Sequence, residues 1–140
     1  MTLVFAFTLP AHAALGESEA TVEADRNQMR GTLNVSRTYR YSVHEMALPS
    51  GTTVREYVSP AGVVFGVAWE GPFMPDLRQL LGSYYEQYGA AVKARHAGRA
   101  PLVIDEPRLV VRSSGHMRAF AGQAFLPGIV PQGVGVEELK

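Results

Sequence analysis

The stretch "SPAGVVFGVAWEGP", Ser59 to Pro72, decides what kind of fold this chain can adopt. Pro60 pre-sets φ at the second position of a turn, and Gly62 accepts a positive φ. The run "VVFGVAW" (63–69) that follows is apolar and rich in β-formers. It is short and bounded by turn residues on both sides, so it reads as a strand. Strict alternation places Val63, Phe65, Val67 and Trp69 on one face. Val64, Gly66, Ala68 and Glu70 take the other. The first set is bulky, which predicts that it faces the core.

Working outward from this strand, "YRYSVHEMAL" (39–48) and "TTVREYV" (52–58) read as strands separated by the turn Pro49-Ser50-Gly51. With 63–69 they form a three-strand meander. Upstream, "SEATVEADRNQMRG" (18–31) predicts a short helix. Ser18 can cap it, Glu19 and Glu23 suit its first turn, Arg30 its last, and Gly31 can stop it. Downstream, Leu77, Leu80, Leu81, Tyr84, Tyr85, Tyr88, Ala91 and Val92 recur with the 3.6-residue period of a helix from about Pro75 to Arg95. Residues 96–101 read as a loop. "RLVVRS" (108–113) and "MRAFAGQAFL" (117–126) form a hairpin around Ser114-Gly115-His116, with Gly122 at a bulge or a close contact. The tail beyond Pro127 reads as loop, with Val134 and Val136 in a short edge pairing. Tight turns force antiparallel neighbours. The expected fold is α+β: an antiparallel sheet of about five strands packed on one long helix, with a short N-terminal helix.

Composition excludes several functions. The chain has 140 residues, 13 basic and 13 acidic. A balanced charge gives no electrostatic footprint for nucleic acid. Without cysteine there is no disulfide, no thiolate nucleophile and no Cys-ligated metal. The N-terminal "MTLVFAFTLPAHA" has an apolar run, a helix-breaking Pro10 and an Ala11-His12-Ala13 cleavage pattern, as a secretory signal has. It is too short to span a bilayer. No Lys or Arg precedes the run, so the expectation is a signal peptide over 1–13 whose natural start lies upstream. One α+β domain over 14–140 would follow.

Candidate chemistry is sparse. A turn at 49–51 pairs positions whose numbers sum to about 100, setting Glu45 opposite Arg55 and His44 opposite Glu56. His44 with Glu45 or Glu56 is then a candidate acid–base pair. The competing reading is two cross-strand charge pairs on a solvated face. His44 and His116 lack the spacing of a metal site, and no metal or cofactor is expected. Gly115 and Gly122 match no phosphate loop. Lys93, Arg95, His96 and Arg99 complement the negative end of a helix dipole. Trp69 with Tyr84, Tyr85 and Tyr88 is the candidate binding set, at the rim of the helix–sheet interface.

"VHEMALPSGTTVREYVSPAGVVFGVAWEGP", "PDLRQLLGSYY", "SSGHMRAFAGQAFLP" and the "ALGE" after the leader resemble the bacterial family called domain of unknown function 2844. The resemblance covers nearly all of the chain beyond residue 13. It implies a small exported protein of Gram-negative bacteria, periplasmic or secreted, and it implies no activity. The expected role is a binding or accessory module for an envelope protein or small ligand. The alternatives are an envelope hydrolase using His44, and a structural subunit of an envelope assembly. A binding module predicts His44 on an open face, with a hydrophobic groove or an exposed sheet edge elsewhere. An enzyme needs His44 in a cleft, about 2.6–3.2 Å from a carboxylate. A structural subunit would show a long unprotected edge strand that pairs with another chain.

Overall fold

The computed structural model describes residues 15–95 and 100–140. The expected signal peptide lies outside them. Among the described residues seven strands run in chain order: β1 (Thr32–Arg37), β2 (Ser42–Ala47), β3 (Thr53–Val58), β4 (Val64–Gly71), β5 (Leu102–Asp105), β6 (Val110–His116) and β7 (Ala119–Phe125). They form one antiparallel sheet ordered β1-β2-β3-β4-β7-β6-β5. Two helical stretches, of 11 and 18 residues, accompany it among these residues. The first is a 3₁₀ turn, Glu19–Thr21, running into α1 (Val22–Met29). The second comprises α2 (Leu77–Leu81), a 3₁₀ turn at Gly82–Tyr84 and α3 (Tyr85–Ala94).

The expectation of five strands on one long helix is therefore corrected. β1, "TLNVSR", is exposed along most of its length, and its apolar alternation rests on two residues only, Leu33 and Val35, too short a pattern to mark a strand. β5, "LVID", is only four residues long and lies between Pro101 and Pro107. The helical stripe is real: Leu77, Leu80 and Leu81 are buried, and Tyr84, Tyr85, Tyr88 and Ala91 pack against the same core. The helix is not continuous, because Gly82 takes φ +53°, which L side chains rarely adopt. Asp76 caps α2 by accepting the Gln79 N–H at 3.1 Å. At the end of α1 the left-handed residue is Arg30 (φ 55°), not Gly31. The β6–β7 hairpin stays paired out to His116 and Ala119, so the chain turns at Met117-Arg118 rather than at 114–116.

The stretch from Ser59 to Pro72 departs from strict alternation. Tyr57 pairs with Gly66 while Val58 pairs with Val64, so Phe65 is the extra residue of a β-bulge. It leaves the face of Val67 and Trp69 and packs with Tyr57, Ala68, Phe125 and Leu139 on the other side. Val64, Val67 and Trp69 remain on the helix side with Met46, Val54 and Leu80. One bulge thus supplies large side chains to both faces of the same strand.

Both faces need covering as a result. The helices cover one and the tail covers the other. Leu139 is buried, and Val130, Val134 and Val136 pack beside it. The tail forms 3₁₀ turns at Pro127–Ile129 and Val136–Glu138, not the expected edge pairing. Polar groups hold it down. The Tyr57 hydroxyl donates to the Lys140 main-chain oxygen (2.9 Å) and accepts from the Lys140 N–H (3.0 Å). Arg55 Nη1 donates to the same oxygen at 2.8 Å, and the Tyr41 hydroxyl donates to Glu138 Oε2 at 2.9 Å. Burial, then Glu138, raises the Tyr41 pKa.

Candidate functional site

The β2–β3 ladder has the predicted register, with His44 opposite Glu56 and Glu45 opposite Arg55. Successive residues of a strand point to opposite faces. Glu45 therefore lies on the tail side, where its Oε2 accepts from Arg55 Nε at 2.7 Å. It cannot serve His44. His44 and Glu56 point inward, at 5% and 0% exposure, which overturns the solvated-face reading for that pair.

Beneath α1 these two residues meet a polar cluster. His44 Nε2 lies 3.1 Å from Glu19 Oε1, and Arg37 Nη2 lies 3.7 Å from the same oxygen. The Glu56 carboxyl faces Asp25 of α1, which is also fully buried. Asp25 Oδ1 accepts a hydrogen bond from Gln79 Nε2 of α2. Burial first, and then the Asp25 carboxyl, push the Glu56 carboxyl well above the usual carboxylate range. Two carboxyls so close and so dry cannot both ionise cheaply, so the pair retains a proton.

The cluster ties α1 and the 3₁₀ turn ahead of it to β2 and β3, and its His44–Glu19 pair borders a groove. Glu56 is sealed from solvent. No hydroxyl among the described residues hydrogen-bonds His44, whose bond goes to Glu19. Sequence reasoning missed Glu19, Asp25 and Gln79 as members of the cluster. Their one signal is spacing: Val22, Asp25 and Met29 fall at i, i+3 and i+7, so Asp25 occupies an inward position of a thin apolar stripe.

His44 itself lines a groove of about 650 Å³ on this face, together with Glu19, Val22, Leu33, Val35 and Arg37. One wall is β1, an edge of the sheet. Val35, opposite His44, is 39% exposed. β1 pairs with β2 without a register shift over Thr32–Arg37, and it holds no Pro and no Lys. The opposite edge differs. β5 has four residues, ends in Asp105, is flanked by Pro101 and Pro107, and has α3 packed on it. Shortness, charge and proline are the devices that keep an edge from pairing. β5 is short, ends in Asp105 and directly follows Pro101, though its Val103 is 56% exposed. β1 is two residues longer, ends in Arg37 and has no proline beside it.

The model of the family described as "Protein of unknown function (DUF2844)" matches residues 11–139. The chain belongs to this family. No significant match is found among curated proteins or solved structures. The DUF2844 description assigns no reaction, so any function must be argued from the side chains.

The remaining candidates in this DUF2844 chain lie on the helix-side core and on β6. Trp69 is a core residue, 1% exposed, seated over Gly122. Tyr85 and Tyr88 stack at 6.1 Å, with the Arg78 guanidinium 4.9 Å from the Tyr85 ring. Burial raises the Tyr88 pKa, against a hydrogen bond with Ser113. Trp69 borders a cleft of about 330 Å³ with Arg112, Gln123 and Lys140, while Tyr88 borders another of about 340 Å³ with Met74 and Phe120. Tyr84 and Tyr85 line neither of these two clefts, while Tyr84, Tyr85 and Tyr88 pack against the core cluster that holds Trp69. His116 is exposed. It sits on β6, four places from β2 in the sheet, about 19 Å at ordinary strand spacing. It cannot share an ion with His44. Among the described residues no cluster of ligating side chains suits a metal, and no helix is long and apolar enough to cross a membrane. Of the basic patch, Arg95 donates to the Ala100 carbonyl. His96 and Arg99 lie outside the described residues.

Proposed function

We propose that this is an exported binding module that takes an extended polypeptide segment along β1. The observation that carries the reading is the contrast between the two edges of the sheet: among the described residues β1 is the longer, unpaired and proline-free edge, while β5 is short and bracketed by proline. An incoming strand would satisfy the outward main-chain groups of β1 and lay alternate side chains into the groove beside Leu33 and Val35. The leader-like "MTLVFAFTLPAHA" and the resemblance to an exported family support the location. The interior position of Glu56 weighs against the hydrolase alternative.

Site-specific photo-crosslinking in the native host tests this. A photoreactive residue replaces Asn34 or Val35 on β1, or Val103 on β5, in the full chain. Polypeptide adducts from the β1 positions and none from Val103, in protein recovered from the periplasm or medium, are the expected result. No β1 adduct, or equal adducts from both edges, overturns the reading.

A further inference from the structure

The open edge is self-complementary, and from this we propose that the segment β1 accepts is β1 of a second copy of this chain. The inference rests on the strand-capture reading and names its partner.

Register supports the pairing. Antiparallel strands keep their faces only when residues of like parity stand opposite one another. In β1, Leu33, Val35 and Arg37 share the helix-side face with Met46, His44 and Ser42 of β2. Thr32, Asn34 and Ser36 share the other face with Ala47, Glu45 and Val43. Placing a two-fold axis at Asn34 sets Leu33 against Val35 of the second copy, and Val35 against its Leu33. Four apolar side chains then meet over the groove face, where Val35 is now 39% exposed. Thr32 meets Ser36, and the two Asn34 amides meet each other. No apolar side chain is opposed to a charge in the centre of this pairing. The two sheets would join into one.

The neighbours of Asn34 supply a test by sign of charge. Asn34 is exposed and stands opposite Glu45, which Arg55 holds at 2.7 Å. Asn34→Glu would line up four carboxylates across the paired edges. Asn34→Lys would set two ammonium groups against each other, each beside the Glu45 of its own chain, whereas one Asn34→Glu chain against one Asn34→Lys chain sets opposite charges across the seam. Directly opposed like charges in a sheet are unfavourable and opposite charges favourable. Both variants leave the core untouched, so both should fold.

Pairing through one strand buries little surface, so the dimer is weak and is sought at high concentration. Sedimentation of the full mature chain, from micromolar up to several hundred micromolar, should show a monomer–dimer equilibrium in the wild type. Asn34→Glu and Asn34→Lys should each weaken it about five-fold, while an equimolar mixture of the two variants should pair at least as well as wild type. The absence of native cysteine allows a direct check of register. Residues facing each other have Cβ atoms about 5 Å apart and diagonal ones lie farther. Asn34→Cys should therefore oxidise to a disulfide dimer faster than Val35→Cys, and much faster than Val103→Cys on the shorter β5 edge. A chain that stays monomeric at every concentration, with the Asn34→Cys variant oxidising no quicker than Val103→Cys, overturns self-pairing. In that case β1 photo-adducts to another protein would still uphold strand capture, and the lack of any adduct would end both.

Discussion

Glu56 of β3 and Asp25 of α1 face each other in the dry interior between helix and sheet. Folding thus depends on a proton. Glu56 holds it more tightly in the folded chain than in the unfolded one, because burial and Asp25 both raise its pKa. Stability from this source is complete below the ordinary carboxylate range. It is lost as pH rises from there through the raised folded pKa. Glu56→Gln keeps the shape of the protonated acid and cannot ionise. It should flatten the fall in stability with pH and gain about 1–3 kcal/mol at alkaline pH. Thermal melts of both chains from pH 4 to 9 check this. A steeper fall in the variant would contradict it.

His44 joins β2 to the 3₁₀ turn ahead of α1 through Glu19. His44→Ala removes its contact with Glu19 (3.1 Å) and empties part of a buried site. A loss of about 1–3 kcal/mol in urea unfolding is expected, with the β1 photo-adducts retained. A hydrolytic activity of the wild-type protein that vanished in this variant, at a temperature where the variant is folded, would favour the enzyme reading instead.

Gly122 is required by Trp69. A Cβ at position 122 would fall 2.3 Å from Trp69 Cζ2 and 2.9 Å from the Arg112 carbonyl oxygen. Gly122→Ala should cost about 1–3 kcal/mol or more, because a packed core resists an added methyl group. Trp69 is the only tryptophan, so its fluorescence reports both the unfolding and any shift of the ring. Gly89 is the contrast, since a Cβ there meets nothing within 4 Å. Gly89→Ala should stabilise α3 by about 0.5–1 kcal/mol.

The tail is part of the core and not an appendage. Leu139 is 1% exposed and closes over Gly66, whose added Cβ would lie 3.1 Å from Leu139 Cδ1. Leu139→Ala should cost about 2–4 kcal/mol. Tyr57→Phe, which removes the hydroxyl bonded to Lys140, should cost about 1 kcal/mol. Hydrogen exchange should quicken first in the 136–140 segment of both variants. Unchanged protection there would show that the tail does not depend on these contacts.

Much was legible locally. The turns at 49–51 and 59–62 imposed the β2–β3–β4 meander, and the turn length set His44 against Glu56 without any tertiary information. The apolar stripe from Leu77 to Ala91 marked the side of the helix that packs. Two strands escaped notice for opposite reasons. β1 alternates over only two apolar residues, Leu33 and Val35, and β5 is too short and too closely bracketed by proline to stand out.

By itself the sequence determined which segments extend, where they turn, which residues oppose each other in the meander and which family the chain resembles. Those properties depend on neighbours a few residues apart or on one hairpin. Only the tertiary structure decided that Phe65 crosses to the other face, that Asp25 meets Glu56, and that β1 and β5 are the edges of the sheet. A bulge reverses side-chain parity without changing composition. A contact between α1 and β3 depends on how a helix settles on a sheet. An edge exists only once strand order is known. The stretch from Ser59 to Pro72 shows both sides: its turns and strand were plain in the sequence, and its bulge was not.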